Sequence, residues 1–310
     1  MSTQSKVIPE SPAEARVAVP VAISAMRLFY WSVRRELWEH RSIYIAPLAA
    51  TGLFLTGFLI GMVRLPGKMS AAMALDAARQ HELITQPYQF VELLLMGTML
   101  IVAAFYCVDA LHGERRDRSI LFWKSLPVSD ATTVLAKAII PVVILPLLTF
   151  AITVATQFVM AMLSTVVLAG TGAGRAILWS HLPLLHMWSM LFGHIFGFHG
   201  LWYAPFYGWL LLVSGWARRA AFLWATVPLL AAGFVEKIAF NTSYFGHLLE
   251  YRFSGAPERI ARIPGNLITE PLSHIGFFQL LSSPGMWTGL ALTAVFLAAA
   301  VRLRRYREPM

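Results

Sequence analysis

Four histidines in one apolar stretch are the side chains of this sequence best suited to hold a metal ion or a haem group. His181, His186, His194 and His199 lie within the segment 176–205, AILWSHLPLLHMWSMLFGHIFGFHGLWYAP, at gaps of five, eight and five residues. Histidines that share one metal from a single α-helix usually recur about three or four residues apart. The observed gaps place the side chains on different sides of an α-helix, so we predict no metal site.

Motifs for nucleotide binding and hydrolysis are missing from the sequence. The Gly-rich segment 170–176, GTGAGRA, lacks the lysine and hydroxyl pair of a phosphate-binding loop, so we predict only a connecting loop there. The sequence contains no GxxxxGK[ST], no LSGGQ and no HExxH. We therefore expect no catalytic residue and no cofactor in this chain, and any ATP-driven activity would need a separate polypeptide.

The composition indicates an integral membrane protein. Hydrophobic residues make up 57% of the 310 residues and charged residues 13%, with a mean hydropathy of +0.63, whereas about a quarter of a soluble domain is charged. The net charge of +9 comes from basic residues beside apolar runs, which is typical of the cytosolic side of a membrane protein. No nucleic-acid partner is expected, and the single Cys107 excludes an internal disulfide.

The apolar runs predict an all-α protein with six membrane-spanning helices. Residues 1–23 are expected to form a flexible cytosolic tail, and residues 24–41 an amphipathic helix along the membrane surface. In the first span, Gly57 and Gly61 have the spacing that lets two helices approach closely, which makes them a possible dimer contact. The predicted spans cover approximately residues 43–63, 89–110, 133–169, 191–216, 222–240 and 284–301.

The connections between the predicted spans differ in character. Residues 65–88 are expected to be a mixed polar loop, and 241–283 a longer outer segment with a helical part. Ser129 or Asp130 is a suitable N-cap for the third span. The Trp- and His-rich residues 176–198 are compatible with an interfacial helix, a re-entrant helix or part of a span.

The most distinctive connection is the segment Leu111–Thr133, LHGERRDRSILFWKSLPVSDATT, between the second and third spans. It combines several charged residues with four consecutive apolar or aromatic ones, Ile120–Trp123, which we expect to stand in water. Such a cluster is best explained if a partner protein covers it. Most Lys and Arg residues lie in this segment, near the termini or at Arg218 and Arg219, so we predict both termini and this segment on the cytosolic side.

At residues 113–137, GERRDRSILFWKSLPVSDATTVLAK, the chain resembles the permease subunits of bacterial ABC-2-type ABC transporters. The order of elements is also similar to that family: an amphipathic helix, six spans, and a longer outer segment before the last span. The resemblance implies an ATP-driven transporter of the bacterial inner membrane that works as an exporter. It implies a partner ABC ATPase subunit that binds ATP and magnesium, and a second permease copy, either identical or a sister permease.

The resemblance also assigns roles to individual residues. Glu114–Leu126 would be the coupling helix, and Arg27–Glu39 the connecting helix beside it. The implied ATPase-docking residues are Glu114, Arg115, Arg116, Asp117, Arg118, Ile120, Leu121, Phe122, Trp123 and Lys124. The implied interface-helix residues are Arg27, Phe29, Tyr30, Arg34, Arg35, Leu37 and Glu39.

Two other classes of protein compete with this interpretation. A secondary transporter driven by an ion gradient usually has ionisable groups at mid-membrane, whereas Glu92, Asp109, Glu236 and Lys237 fall near the ends of the predicted spans. A haem- or metal-binding membrane protein would use the four histidines. The sequence is compatible with many amphipathic substrates, including lipids and peptides.

Overall fold

The computed structural model describes residues 24–125, 128–170, 172–254 and 280–306, and these residues form helices and turns without a strand. The predicted tail 1–23 and most of the outer segment, 255–279, lie outside the described residues. The helices are α1 (Ala25–Glu39), α2 (Ser42–Met62), α3 (Leu65–Ala72), α4 (Ala77–Ala110), α5 (His112–Arg116), α6 (Ile120–Lys124), α7 (Asp130–Ile139), π1 (Ile140–Ile144), α8 (Leu145–Val167), α9 (Gly172–His181), α10 (Leu184–His194), π2 (Ile195–Trp202), α11 (Ala204–Trp216), α12 (Ala221–Phe240), α13 (Tyr244–Ser254) and α14 (Pro284–Tyr306).

Five helical segments of the described chain are long and apolar enough to cross a membrane: Ser42–Met62, Ala77–Arg116, Asp130–Val167, Ala221–Phe240 and Pro284–Tyr306. The all-α class is confirmed, and the helices fit a multi-pass membrane protein. The region of the predicted span 191–216 is divided among α10, π2 and α11 with a turn at Tyr203. It is therefore not one of the five, and the sixth span stays a prediction.

Two predicted loops are helical. The expectation of a loop over residues 65–88 is wrong, because α3 and the first turns of α4 fill it. Pro66 suits the first turn of α3, and the segment is rich in alanine, the strongest helix former. The Gly-rich 170–176 segment is also misassigned, since α9 begins at Gly172. The N-cap prediction is confirmed: Ser129 caps α7, and its hydroxyl accepts a hydrogen bond from the Thr132 amide at 3.0 Å.

Two apolar cores lie at opposite ends of the helix bundle. One surrounds Tyr106, Cys107 and Tyr207, where α2, α4, π1 and α11 meet, and Cys107 is fully buried there. The other surrounds Tyr88, Met160 and Leu168, where α2, α3, α4, α8 and α9 meet. We call the end with α1, α5 and α6 the charged end, and the end with α3 and α9 the far end.

The two π-helices pack against each other. Pro141 lies in π1, and since proline has no amide hydrogen it disrupts regular α-helical hydrogen bonding. In π2, a Cβ atom added at Gly200 would lie 2.8 Å from the carbonyl oxygen of Val142. A glycine is therefore required where the two π-helices touch.

Candidate functional site: a buried ionic cluster

Six charged side chains from four helices meet at the charged end, and we call them the ionic cluster. They are Arg35, Glu36, Glu114, Asp130, Lys137 and Arg304. Three are acidic and three are basic, so the cluster is formally neutral. It joins the connector and the following helix, α5 and α7, to the first and last helices described, α1 and α14.

Glu36, in the last turn of α1, is an anion with no exposed surface. Its Oε1 accepts hydrogen bonds from Lys137 Nζ at 2.8 Å and from Arg35 Nη2 at 2.6 Å. Its Oε2 accepts one from the Tyr106 hydroxyl at 3.0 Å. The carboxylate is thus saturated by donors from α1, α4 and α7.

Glu114 is the second buried anion and shares the same cations. Its Oε1 lies 2.9 Å from Arg35 Nη2 and 3.1 Å from Lys137 Nζ. Its Oε2 accepts a hydrogen bond from Arg304 Nη1, while Arg304 Nε donates to Asp130 Oδ1 at 3.1 Å. Lys137 therefore bridges two carboxylates, and Arg304 connects the last helix to both the connector and the start of α7.

Charge compensation decides the ionisation of Glu36. Burial alone would raise the pKa of this carboxyl, but the Coulombic attraction of Lys137 and Arg35 and their hydrogen bonds lower it from 4.5 to about 2. The pKa of Glu39, which lies at the edge of the cluster, is raised because burial dominates over the attraction of Arg35. The cluster is thus a set of matched charges in which removal of one would leave its partner uncompensated.

The connector between α4 and α7 is also fixed to the end of α11. The Ser214 hydroxyl accepts hydrogen bonds from the amides of Leu111 at 2.9 Å and His112 at 2.8 Å. Arg115 Nη1 donates to the Gly215 carbonyl at 2.7 Å. These contacts satisfy backbone groups left open at two helix ends. The connector is consequently held from both sides, by the ionic cluster and by α11.

The structure divides the predicted docking residues into an anchored group and an exposed group. Glu114, Arg115 and Ile120 are buried, so the expectation that all of Ile120–Trp123 stands in water is wrong for Ile120. Trp123 is half-buried, with the Arg35 guanidinium 4.0 Å from its ring centroid. The exposed residues are Arg116, Asp117, Arg118, Leu121, Phe122 and Lys124.

The predicted amphipathic helix is present as α1. One of its sides packs against the core and the other is exposed, as in a helix at a membrane surface. Val33 and Leu37 pack against the core at the charged end, whereas Tyr30 and Trp38 are exposed. The Arg34 guanidinium lies 4.7 Å from the Trp38 ring centroid. Exposed aromatic residues beside arginines are typical of the boundary between membrane and water.

Sequence reasoning missed three members of the cluster. Glu36 had no distinguishing pattern, and Lys137 and Arg304 were interpreted only as basic residues at span ends. The available signal was Lys137 itself, because it stands within the apolar run VLAKAII. A cation in such a run needs a buried anion, although the sequence does not say which one.

The histidine prediction needs one correction. His194 and His199 do not point to different sides, because π2 begins between them and its hydrogen bonds span five residues. Their ring centroids are 5.4 Å apart. The group of three potential metal ligands in the described chain is Glu36, Glu39 and His40. Glu36 is already compensated by Lys137 and Arg35, so this group is better explained as part of the ionic cluster.

The described chain is all-helical and compatible with a multi-pass membrane protein, and its charged connector is bound to α1, α7, α11 and α14. The chain matches no protein-family model, no curated protein and no solved structure. The arrangement is suited to transmitting a displacement of the connector to the amphipathic helix, the third long helix and the last helix.

Proposed function

We propose that this chain is the membrane-spanning permease subunit of an ABC-2-type ABC transporter, and that it docks a separate ATPase subunit through its connector. Two copies, or one copy and a sister permease, would form the transport path, with ATP and magnesium bound by the partner. The proposal includes six spans, the sixth being the α10–π2–α11 segment. It also includes a location in the bacterial inner membrane with both termini cytosolic.

The observation that carries the proposal is the exposed pair Leu121 and Phe122 on α6. Their exposed fractions are 58% and 61%, and they lie among the exposed charged residues Arg116, Asp117 and Lys124. A segment with this many charges belongs outside the hydrocarbon, where exposed apolar side chains favour contact with another protein. Leu121 and Phe122 would therefore fill a groove of the ATPase, and the charges would surround the contact.

The ionic cluster supports the same proposal because it explains how docking would move the spans. α6 follows directly on α5, whose Glu114 is bound to Arg35, Lys137 and Arg304. A displacement of Leu121 and Phe122 by the docked ATPase would thus be transmitted to α1, α7 and α14 together. Matched buried charges give a connection with defined geometry, which apolar contacts alone do not provide.

The test replaces Leu121 and Phe122 together by alanine in the full chain, produced together with a candidate partner ABC ATPase. Loss of two contact side chains at the centre of an interface should reduce co-purified ATPase by roughly tenfold or more. Insertion into the membrane should be unchanged, because both side chains are exposed. The matched control is Phe222→Ala with Leu223→Ala, a pair with exposed fractions of 56% and 57% on α12.

Retention of the ATPase by the Leu121 and Phe122 double variant, with normal ATP turnover, would refute the proposed docking site. Flux in vesicles that contain only this chain and an ion gradient would instead support a secondary transporter. A haem absorption band or a stoichiometric metal in the purified protein would favour a haem- or metal-binding membrane protein.

A further inference from the structure

We propose that the groove between α2, α3 and α4 at the far end binds an acyl chain of an anionic membrane lipid, with the lipid phosphate at Lys68. The groove has a volume of about 670 Å³, within the range of small-molecule binding sites. This inference depends on the membrane setting of the protein and not on the proposed transport function. A result that refutes the lipid site therefore does not refute the transport function, and the reverse also holds.

The deeper half of the groove is apolar and has room for a hydrocarbon chain. Phe54 and Phe90 form one wall, with stacked rings whose centroids are 5.8 Å apart, and buried Ile84 contributes to the lining. Gly57 and Gly61 also line the groove, and a Cβ atom at either would meet no atom within 4 Å. The glycines thus leave open space where larger side chains would fill the groove.

The shallow half carries the charged group, Lys68 on α3. Gln86 on α4 also lines the groove, between Ile84 and Phe90. Lys68 is exposed, and none of the carboxylates that the structure describes lies within ion-pair distance of it. Phe54 lies eight residues before the end of α2 at Met62, which is about 12 Å along the axis. The groove therefore runs along α2 from its apolar middle to its polar end. This is the direction in which the acyl chain of a membrane lipid lies beside a spanning helix.

Charge and position favour an anionic lipid over other occupants. The outer side of α2 is largely exposed, so the groove is accessible from the hydrocarbon that surrounds the helices. The Lys68 ammonium group, beyond the polar end of α2, attracts a phosphate. An apolar tail with a phosphate at one end matches both halves of the groove.

The experiment uses the full chain in lipid nanodiscs of phosphatidylcholine that contain phosphatidylglycerol with a photoreactive diazirine on one acyl chain. After irradiation, mass spectrometry locates the labelled residues. We expect labels on α2 and α4 facing the groove. Gly57→Leu should reduce this labelling at least about fivefold by filling the space, while Gly52→Leu should not, because Gly52 lies on the same helix but outside the groove lining.

The headgroup contact is tested by reversing one charge. Lys68→Glu should reduce labelling by the phosphatidylglycerol probe about fivefold, and Arg64→Glu, at a residue outside the groove lining, should have a much smaller effect. A phosphatidylcholine probe should be insensitive to Lys68→Glu.

Three results would overturn the inference. These are labels distributed evenly around α2 in the unchanged protein, equal labelling of Gly57→Leu and Gly52→Leu, and a disulfide between two copies of a Gly57→Cys variant treated with a thiol oxidant. The last result would show that a second copy closes the groove. The label positions in the unchanged protein test the inference even if one variant does not fold.

Discussion

The charged end and the far end of the helix bundle are held together by different forces. At the charged end, Glu36, Glu114 and Lys137 are buried and each has a charged partner on another helix. At the far end, apolar contacts dominate, and buried Gln157 links α8 to Tyr88 and Trp188 by hydrogen bonds. Matched charges fix the relative positions of helices, whereas apolar contacts tolerate adjustment. Under the two proposals made above, the charged end would transmit force and the far end would accommodate lipid.

The largest effect should come from Lys137→Met at the charged end. This change leaves the carboxylates of Glu36 and Glu114 buried without their shared cation, at a cost of about 3–5 kcal/mol. Thermal unfolding in detergent should show a lower midpoint than the unchanged protein by roughly 5–15 °C. The control Lys124→Met removes an exposed cation and should shift the midpoint little. Equal midpoints for the two variants would show that the cluster has no special role in stability.

The second-largest predicted effect is a loss of folding stability at low pH. Since the pKa of Glu36 is lowered from 4.5 to about 2, its ionisation stabilises the folded state fully above pH 4.5. This contribution is lost as the pH falls towards 2, on the order of 2 kcal/mol by pH 3. The raised pKa of Glu39 acts in the opposite direction. Unfolding measured from pH 6 to pH 3 should therefore depend less on pH in Glu36→Gln. Parallel pH profiles for the two proteins would contradict the assignment.

A smaller effect is expected at the far end from Gln157→Leu. The change removes the acceptor of the Trp188 indole N–H, at 2.8 Å, and the donor to the Tyr88 carbonyl, at 3.1 Å. Leaving neutral groups unpaired costs about 1–3 kcal/mol, less than an unpaired buried charge. Isothermal denaturant unfolding should place this variant between Lys124→Met and Lys137→Met. If Gln157→Leu lowered the free energy of unfolding more than Lys137→Met does, the comparison between the two ends would be reversed.

The sequence predicted what depends on local pattern and missed what depends on distant pairing. Helix type and the Ser129 cap follow from hydropathy and from side chains within one turn. The ionic cluster does not, because Glu36 and Lys137 are 101 positions apart and Glu114 and Arg304 are 190 apart. No periodicity in a single sequence relates residues at such separations.

The histidines show a second kind of failure. Their spacing was analysed with an α-helical period, but π2 changes the period locally, and His194 and His199 then face each other. The loop prediction for residues 65–88 failed for another reason: it rested on their mixed polarity, although their alanine content favours helix. Local irregularity is set by tertiary packing, such as the contact of Gly200 with Val142, and a sequence pattern does not contain it.

The burial of Cys107 has a practical consequence. It is the single cysteine of the chain, and it is inaccessible in the core at the charged end. The protein therefore already resembles a cysteine-free background for thiol-reactive dyes and spin labels. A cysteine introduced at Phe122 or at Lys68 would be the one reactive thiol, so membrane-impermeant reagents could report the sidedness of each end without further engineering.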